Sequence, residues 1–479
     1  MSLDITNEAL DEISSQAAKL VAEYFTHIAE RPVMAPNHAG KTKSLVSVEL
    51  PAEGRPLDQL LDECRTVLDL SRHNGHPRFF GYVASPSTPI GAYADLIASA
   101  LNANITCWRS GPSGTEIEQV VVRWLGSLIR YDDNAKGLLT SGGSMANMIA
   151  LLIASRRNNP EASRQGLWNA GPPMTIYASE EVHMSIPKAA DILGFGRDNV
   201  RTIACDGEHR MRVDQLVSYL KADREKGFRP VCVVGSAGTV NTGAIDPLNQ
   251  IAEVAREYDL WFHVDGAYGA PGAMDQSKKD LFAGLERADS VSLDPHKWLY
   301  VPVDAGCLLF RDAAAAAVFT EDAAYIQTHG LADDAAFAYW DYGVELSRRF
   351  RALKVWLTLG YYGARRIAEA VSKDISLAAY LGELVSQADD FELLAPVELS
   401  ICCFRYVPQK LRDNDDELNQ LNEQIMAAVQ KGGHAYLSNA TVEGKFALRA
   451  CITNFRTTKA DIEQTIEVVR DAAKQLGHG

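Results

Sequence analysis

The chain has 479 residues, 47% of them hydrophobic and 23% charged, and a formal net charge of −15. That length supports two or three folding units with a sizeable core. The acidic balance, without any basic cluster, argues against nucleic acid as a partner, and no run is long enough to span a membrane.

The start, Met1-Ser2-Leu3-Asp4, lacks the basic flank and apolar core of a signal peptide, and the eight cysteines are scattered without a Cys-x-x-Cys pair. Both point to reduced thiols in the cytoplasm. Residues 7–29 set Leu10, Ile13, Ala17, Leu20, Val21, Tyr24, Phe25 and Ile28 at helical spacing. Such a face needs something to pack on, either its own domain or, as we favour, a second subunit. Residues 31–57, rich in Pro, Gly and Lys, read as extended connection. Residues 73–82 are dense in turn formers and aromatics, which are more often core than pocket. Helices are expected over 89–103 and 113–130, the latter with Ser113 and Glu116 as a capping box.

From residue 137 strands and helices alternate. Strands are expected at 137–140, 175–178, 201–204, 231–235, 261–265 and 288–293. Helices follow at 145–156, from 183, at 213–224 and at 247–257. This alternation predicts an α/β unit with a mainly parallel central sheet covered by helices. The alanine run 313–317 reads as helix. After a helix near 347–363, residues 367–479 read as a small α+β domain, with strands at 399–406 and 445–452 and helices at 415–430 and 459–475. Three parts are expected: an N-terminal helical and extended segment over 1–86, a large α/β domain over 87–366, and the small domain over 367–479.

Three strand ends carry the chemistry. Thr140-Ser-Gly-Gly-Ser-Met-Ala-Asn147 is a strand, a glycine loop and a helix start. Bare amides, a hydroxyl and the helix dipole there suit a phosphate, although a simple helix cap fits the same residues. His263-Val-Asp-Gly-Ala-Tyr-Gly269 ends a buried-looking strand on Asp265, whose carboxylate needs a strong donor: an arginine or a protonated ring nitrogen. Ser292-Leu-Asp-Pro-His-Lys-Trp298 delivers Lys297 just past Pro295, which removes a donor and ends the strand. A phosphate seat, a buried carboxylate and an amine are what pyridoxal 5′-phosphate requires.

On these motifs the chain resembles the group II pyridoxal-phosphate-dependent amino acid decarboxylases, the family of aromatic-L-amino-acid, histidine and glutamate decarboxylases, over residues 8–475. The resemblance implies the aspartate-aminotransferase-type fold and a homodimer with shared active sites. It implies that Lys297 is the Schiff-base lysine and that Asp265 pairs the pyridine nitrogen. Ala267 and His183 then flank the ring, Thr239 lies beside it, and Gly143, Ser144 and His296 serve the phosphate side. Asp294 stands where animal aromatic decarboxylases have Asn. Tyr325 matches the Cα proton donor on a mobile loop that closes over the partner's site. Aldehyde-forming relatives typically carry Phe there, so Tyr325 argues against an aldehyde synthase, while Lys297, Asp265 and His183 argue against a catalytically idle scaffold. By the resemblance, the side-chain pocket draws on Phe80, Tyr82, Thr106 and Trp108; Phe80, Tyr82 and Trp108 suit an aromatic L-amino acid, whereas Thr106 stands where animal aromatic decarboxylases have an aromatic residue and Val83-Ala84 where they have Phe-Pro. An acidic substrate meeting Arg78 and Arg109 is the competing expectation, and a transaminase is the remaining one.

Overall fold

The computed structural model describes residues 3–36, 38–169, 171–320 and 337–478. Its strands are β1 (Lys136–Thr140), β2 (Met174–Ser179), β3 (Val200–Ile203), β4 (Arg229–Ser236), β5 (Trp261–Asp265), β6 (Ser290–Leu293) and β7 (Gly306–Phe310). They form one seven-stranded sheet in the order β1-β7-β6-β5-β4-β2-β3. The run from β3 to β6 is parallel; β7 is antiparallel to both β6 and β1. Two reversals return β1 to the direction of the parallel strands, so its carboxyl end reaches the same edge as theirs. Every residue of β2, β5, β6 and β7 is buried, as expected of strands covered on both faces. The helix Gly143–Asn158 lies against β4 to β7. The expected mainly parallel α/β architecture is therefore the observed one.

A second sheet contains β8 (Phe391–Leu393), β9 (Ile401–Tyr406), β10 (Ser438–Val442) and β11 (Lys445–Cys451), all antiparallel in the order β10-β11-β9-β8. With helices Asp415–Gly432 and Lys459–Gln475 it encloses a smaller core around Phe404, Leu448, Ile425 and Val469.

Several local expectations change. Residues 38–46, read as extended, are helical, and a further helix covers Leu57–Asp69. Helix Pro112–Leu128 starts on Pro112 with Gly111 as its N-cap and no side-chain cap, so Ser113 and Glu116 form no capping box. Pro at the first helical turn needs no hydrogen-bond partner and fixes the start by itself. Strand β7 was missed because Gly306-Cys-Leu-Leu-Phe310, buried throughout, has no alternation to detect. The boundary expected near 363 is observed: within Ala352–Gln387 the backbone leaves helical geometry at Gly363, where φ is 77° and ψ 153°, and a second long stretch of helix runs from there to Gln387.

That long helix anchors the segment following Lys297. Asp374, fully buried on it, accepts from Trp298 Nε1 at 3.0 Å and Tyr300 OH at 2.7 Å, and its Oδ1 has no partner among the described residues. Burial pushes its carboxyl up to about 7, although the Tyr300 and Trp298 hydrogen bonds and the charge of Lys373 pull it down. The folded chain thus holds a proton that an unfolded aspartate releases near pH 3.9, roughly. The stability from that proton is complete below the unfolded value and is lost as pH rises through about 7. Asp374→Asn should therefore gain about 2–3 kcal/mol relative to wild type between pH 5 and 8. Denaturant titrations of the two holoenzymes at both pH values check this, and parallel pH dependences would refute it.

Candidate active site

Strand register places the site. Ser236 on β4 pairs with Asp265 on β5, and Asp265 pairs with Ser292 on β6. Three consecutive strands thus end level, and the chain leaves each of them at the carboxyl edge, where open α/β sheets bind ligands. The loop after β1 reaches this edge across β7, since Thr140 pairs with Gly306. Backbone meets backbone there: a Cβ on Gly306 would stand 2.4 Å from Gly142 Cα.

A cavity of about 340 Å³ opens at this edge. Its lining includes Gly143, Ser144, His183, Thr239, Asp265, Ala267, Asp294, His296 and Lys297, so residues of the three motifs meet in one place with His183 and Thr239 from two further segments. Gly143 and Ser144 begin the helix Gly143–Asn158, where the first amides have no preceding turn to bond. Glycine is required at 143 by proximity, because a Cβ would lie 2.8 Å from that of Ala267 and 3.1 Å from Asp294 Oδ2.

Lys297 sits on the single turn Pro295–Trp298 immediately after β6. Its Nζ is 3.2 Å from Asp294 Oδ2, and its side chain is 22% exposed. Asp294 is almost wholly buried, and its Oδ1 has no partner among the described residues. His296 Nδ1 lies 2.7 Å from the Ala305 carbonyl, to which it donates, while its Nε2 stands 3.9 Å from Asp294 Oδ2. Behind the lysine, Trp298 is fully buried and stacks on Tyr268 at 5.3 Å, which holds the turn from below.

Asp265 is deeply buried yet remains an acceptor. Oδ1 accepts from Ser292 Oγ at 3.0 Å and Ala267 N at 3.2 Å, and Oδ2 from Asn147 Nδ2 at 2.8 Å. Burial raises its carboxyl, but Lys297, His263, His183 and the Asn147 hydrogen bond outweigh it, and the net direction is down. His183 moves down as well, chiefly through burial, against the pull of Asp265. Thr239 Oγ1 lies 3.0 Å from Thr242 Oγ1 and accepts from Ala244 N at 3.2 Å, which pins its hydroxyl at the wall.

Asn147 also lines the cavity, and sequence reading passed over it. The signal was present: an asparagine among the apolar residues Met145, Ala146, Met148 and Ile149 of a helix is costly unless its amide is used.

The expected side-chain pocket is dispersed. Phe80 is fully buried in the core of the second sheet, where it packs with residues such as Phe404 and Ala450. Tyr82, two residues on, is exposed with φ at 57°; its carbonyl accepts from Arg449 Nη1, and the same arginine bonds the carbonyl of the lining residue Val240. Tyr82 is not among the residues lining the cavity, and among the described residues its link to the wall is through Arg449 alone; its ring lies instead by Tyr436 and Arg72. Thr106 and Trp108 do not line this chain's cavity: Thr106 O accepts from Tyr339 N, and Trp108 donates from its backbone to Phe337 O and from Nε1 to Glu116. Arg78 spends its donors on His434 O, Gln464 and Asp461, far along the chain from the cavity motifs. Arg109 is on the surface. Tyr325 lies outside the described residues.

The arrangement fits a phosphorylated pyridine aldehyde. The bare first-turn amides at Gly143 and Ser144 suit a dianion, Asp265 Oδ2 keeps acceptor capacity toward the cavity, and Lys297 supplies the amine. No metal-binding group of His, Cys, Asp and Glu occurs among the described residues, and no helix among them is long and apolar enough to cross a membrane.

The chain is similar to known proteins over nearly its whole length. The chain is 33% identical to the aromatic-L-amino-acid decarboxylase of Bacillus atrophaeus, covering 99% of this chain and 98% of that one. It is 29% identical to a phenylacetaldehyde synthase of a Rosa hybrid cultivar, over 95% and 92% of the two chains. The crystal structure of Oryza sativa TDC with PLP and tryptamine superposes with a TM-score of 0.91 at 25% identity, covering 99% of this chain and 100% of that one. The pyridoxal-dependent decarboxylase conserved domain matches residues 39–407. With that match across the sheet and all three of its ligand-facing strand ends, the chain belongs to the pyridoxal-dependent decarboxylase family, and its cofactor is pyridoxal phosphate.

Proposed function

We propose that the enzyme decarboxylates an aromatic L-amino acid to the corresponding amine and carbon dioxide, as a cytoplasmic homodimer with shared sites. The meeting of Lys297, Asp265 and the Gly143–Ser144 amides in one cavity carries this reading. Bound there, the cofactor supplies an electron sink for the bond that breaks at Cα. Lys297 would hold it covalently through Nζ, the amine that a substrate would have to replace. Asp265 keeps the ring nitrogen protonated; His183 and Ala267 confine the ring from its two sides. Ser144, His296 and Thr239 orient the cofactor, and Asp294 holds Nζ when the lysine is released. These walls would orient the substrate, and that orientation would select the bond at Cα that breaks.

An aromatic substrate is supported by the name of the Bacillus relative, an aromatic-L-amino-acid decarboxylase. Arg78, tied to the C-terminal helix, is a poor partner for an acidic side chain. A second subunit is supported by the helix Asn7–Thr26, which buries none of its residues in the single chain, and by Leu96, Ile97 and Leu101, all more than half exposed. We place Thr106, Trp108 and Tyr325 at the partner's site, and keep 1–86, 87–366 and 367–479 as the three functional parts of the chain. Carbon dioxide release from a panel of amino acids tests the substrate class: release from aspartate or glutamate alone would transfer the assignment to an acidic substrate.

Tyr325 is proposed to protonate Cα once carbon dioxide has left. Tyr325→Phe should bind cofactor and substrate and still release carbon dioxide, while amine formation falls by about 10²-fold for want of a positioned acid. The electron pair left at Cα then reduces dioxygen to hydrogen peroxide, and hydrolysis gives aldehyde and ammonia. Mixing Tyr325→Phe with Lys297→Ala chains should regenerate one complete site per mixed dimer. Wild-type amine yield from Tyr325→Phe would refute the proton-donor role, and verified mixed dimers without recovery would refute the shared site.

A further inference from the structure

A chain of hydrogen bonds runs through the sheet to Asp265, and its direction is fixed at both ends. At the far end is Trp261 Nε1, which can only donate; it gives its hydrogen to Ser290 Oγ at 2.8 Å. Ser290 Oγ lies 2.9 Å from His263 Nδ1, and His263 Nε2 lies 3.0 Å from Asn147 Oδ1. Asn147 Nδ2 then bonds both Asp265 Oδ2 at 2.8 Å and Ser185 Oγ at 2.9 Å. Trp261, Ser290, His263 and Asn147 are all buried.

The near end is a carboxylate that can only accept. Asn147 must therefore turn its NH₂ toward Asp265 and its carbonyl toward His263, which must present Nε2–H. Burial holds that imidazole in the neutral form, down at about 4. Its Nδ1 is then bare and takes the hydrogen of Ser290, whose oxygen already accepts from Trp261. A branch is set in the same way: Ser185 N donates to His183 Nδ1 at 3.2 Å, so that nitrogen is bare, and Ser185 Oγ, accepting from Asn147, donates to it at 2.8 Å. One amide thus orients both groups that face the ring.

The two oxygens of Asp265 are not equivalent. Oδ1 already accepts two hydrogen bonds, from Ser292 and Ala267, whereas Oδ2 accepts from Asn147 alone among the described residues. A carboxylate oxygen has two lone-pair sites, so the remaining one on Oδ2 is the seat for a ring N–H. We infer that Asn147, held by His263, is a positioning residue that fixes Asp265 Oδ2 as the acceptor of the cofactor's ring nitrogen. The inference rests on the proposed role of Asp265. Asn147 and His263 need touch neither cofactor nor substrate to act: they set the rotation of the carboxylate and supply the charge-assisted bond that keeps it anionic.

Binding measurements on the reconstituted enzyme separate this from a structural role. Pyridoxal 5′-phosphate is compared with its 1-deaza analogue, in which carbon replaces the ring nitrogen but aldehyde and phosphate remain. Wild type should prefer the natural cofactor. Asn147→Leu, the milder Asn147→Ser, and His263→Leu should each lose about tenfold of that preference, roughly the worth of one hydrogen bond to a charged group. His263→Gln, whose amide can still donate to Asn147 Oδ1, should restore most of it. A purely structural defect weakens both ligands equally and leaves the ratio unchanged. If wild type discriminates and folded Asn147→Ser and His263→Leu discriminate equally well, the inference is overturned while the Asp265 assignment stands. If wild type shows no preference, both fall together.

Discussion

Lys297→Ala is expected to lose the covalent link to the cofactor and to lower turnover by about 10²-fold or more, as when a reacting group is no longer held in place. Borohydride treatment of the wild-type holoenzyme should fix the cofactor mass on the peptide containing Lys297, and the alanine variant should show no such adduct. The geometry explains why this lysine and no other is expected. Pro295 closes β6, the turn Pro295–Trp298 directs Nζ into the cavity, and Asp294 Oδ2 holds it at 3.2 Å. Trp298, stacked on Tyr268 and bonded to Asp374, prevents the turn from swinging away. The fold should survive the substitution, since the lysine side chain is partly exposed and supports no core packing. An adduct on a different lysine would remove the basis of the site.

Asp265→Asn is expected to keep the fold and some cofactor but to lose about 10²–10³-fold in kcat, the typical cost of removing one preorganised charged or dipolar group. The amide can still touch the ring nitrogen, yet it cannot hold a proton there by charge. The deficit is therefore larger in the transition state, when electron density moves toward the ring, than in the ground state. KM should change little by comparison. Four partners, Asn147, Ser292, Ala267 and the nearby Lys297, are arranged for an anion, and they keep the carboxyl below its usual range despite burial. Steady-state kinetics with cofactor content measured in parallel tests this, and an Asn variant with wild-type kcat would contradict the assigned role.

The chemistry of the site was legible because each of its parts is local. A glycine loop opening a helix, an aspartate ending an apolar strand and a lysine just past a proline are patterns of a few residues each. Strand and helix periodicity supplied the α/β architecture for the same reason, and it failed where the pattern vanishes, as in the wholly buried β7. The capping box failed because Pro112 starts the helix with Gly111 as N-cap, two residues before the N-cap position that the pairing of Ser113 and Glu116 requires.

What the sequence by itself determined was the inventory: a mainly parallel sheet and three strand ends bearing a phosphate seat, a carboxylate and an amine. Only the tertiary structure decided how those groups are held. Asn147 and Asp265 lie 118 positions apart, and Asn147 and His263 lie 116 apart, so no local pattern could pair them. Asp374, 76 positions from Trp298, braces the lysine turn only because the long helix packs beside it. Phe80 and Tyr82 are near neighbours of like chemistry, yet one is sealed in the second core and the other is exposed. Periodicity and motif are properties of short segments, whereas burial, and the direction in which a hydrogen bond must run, depend on which distant segments close over a residue.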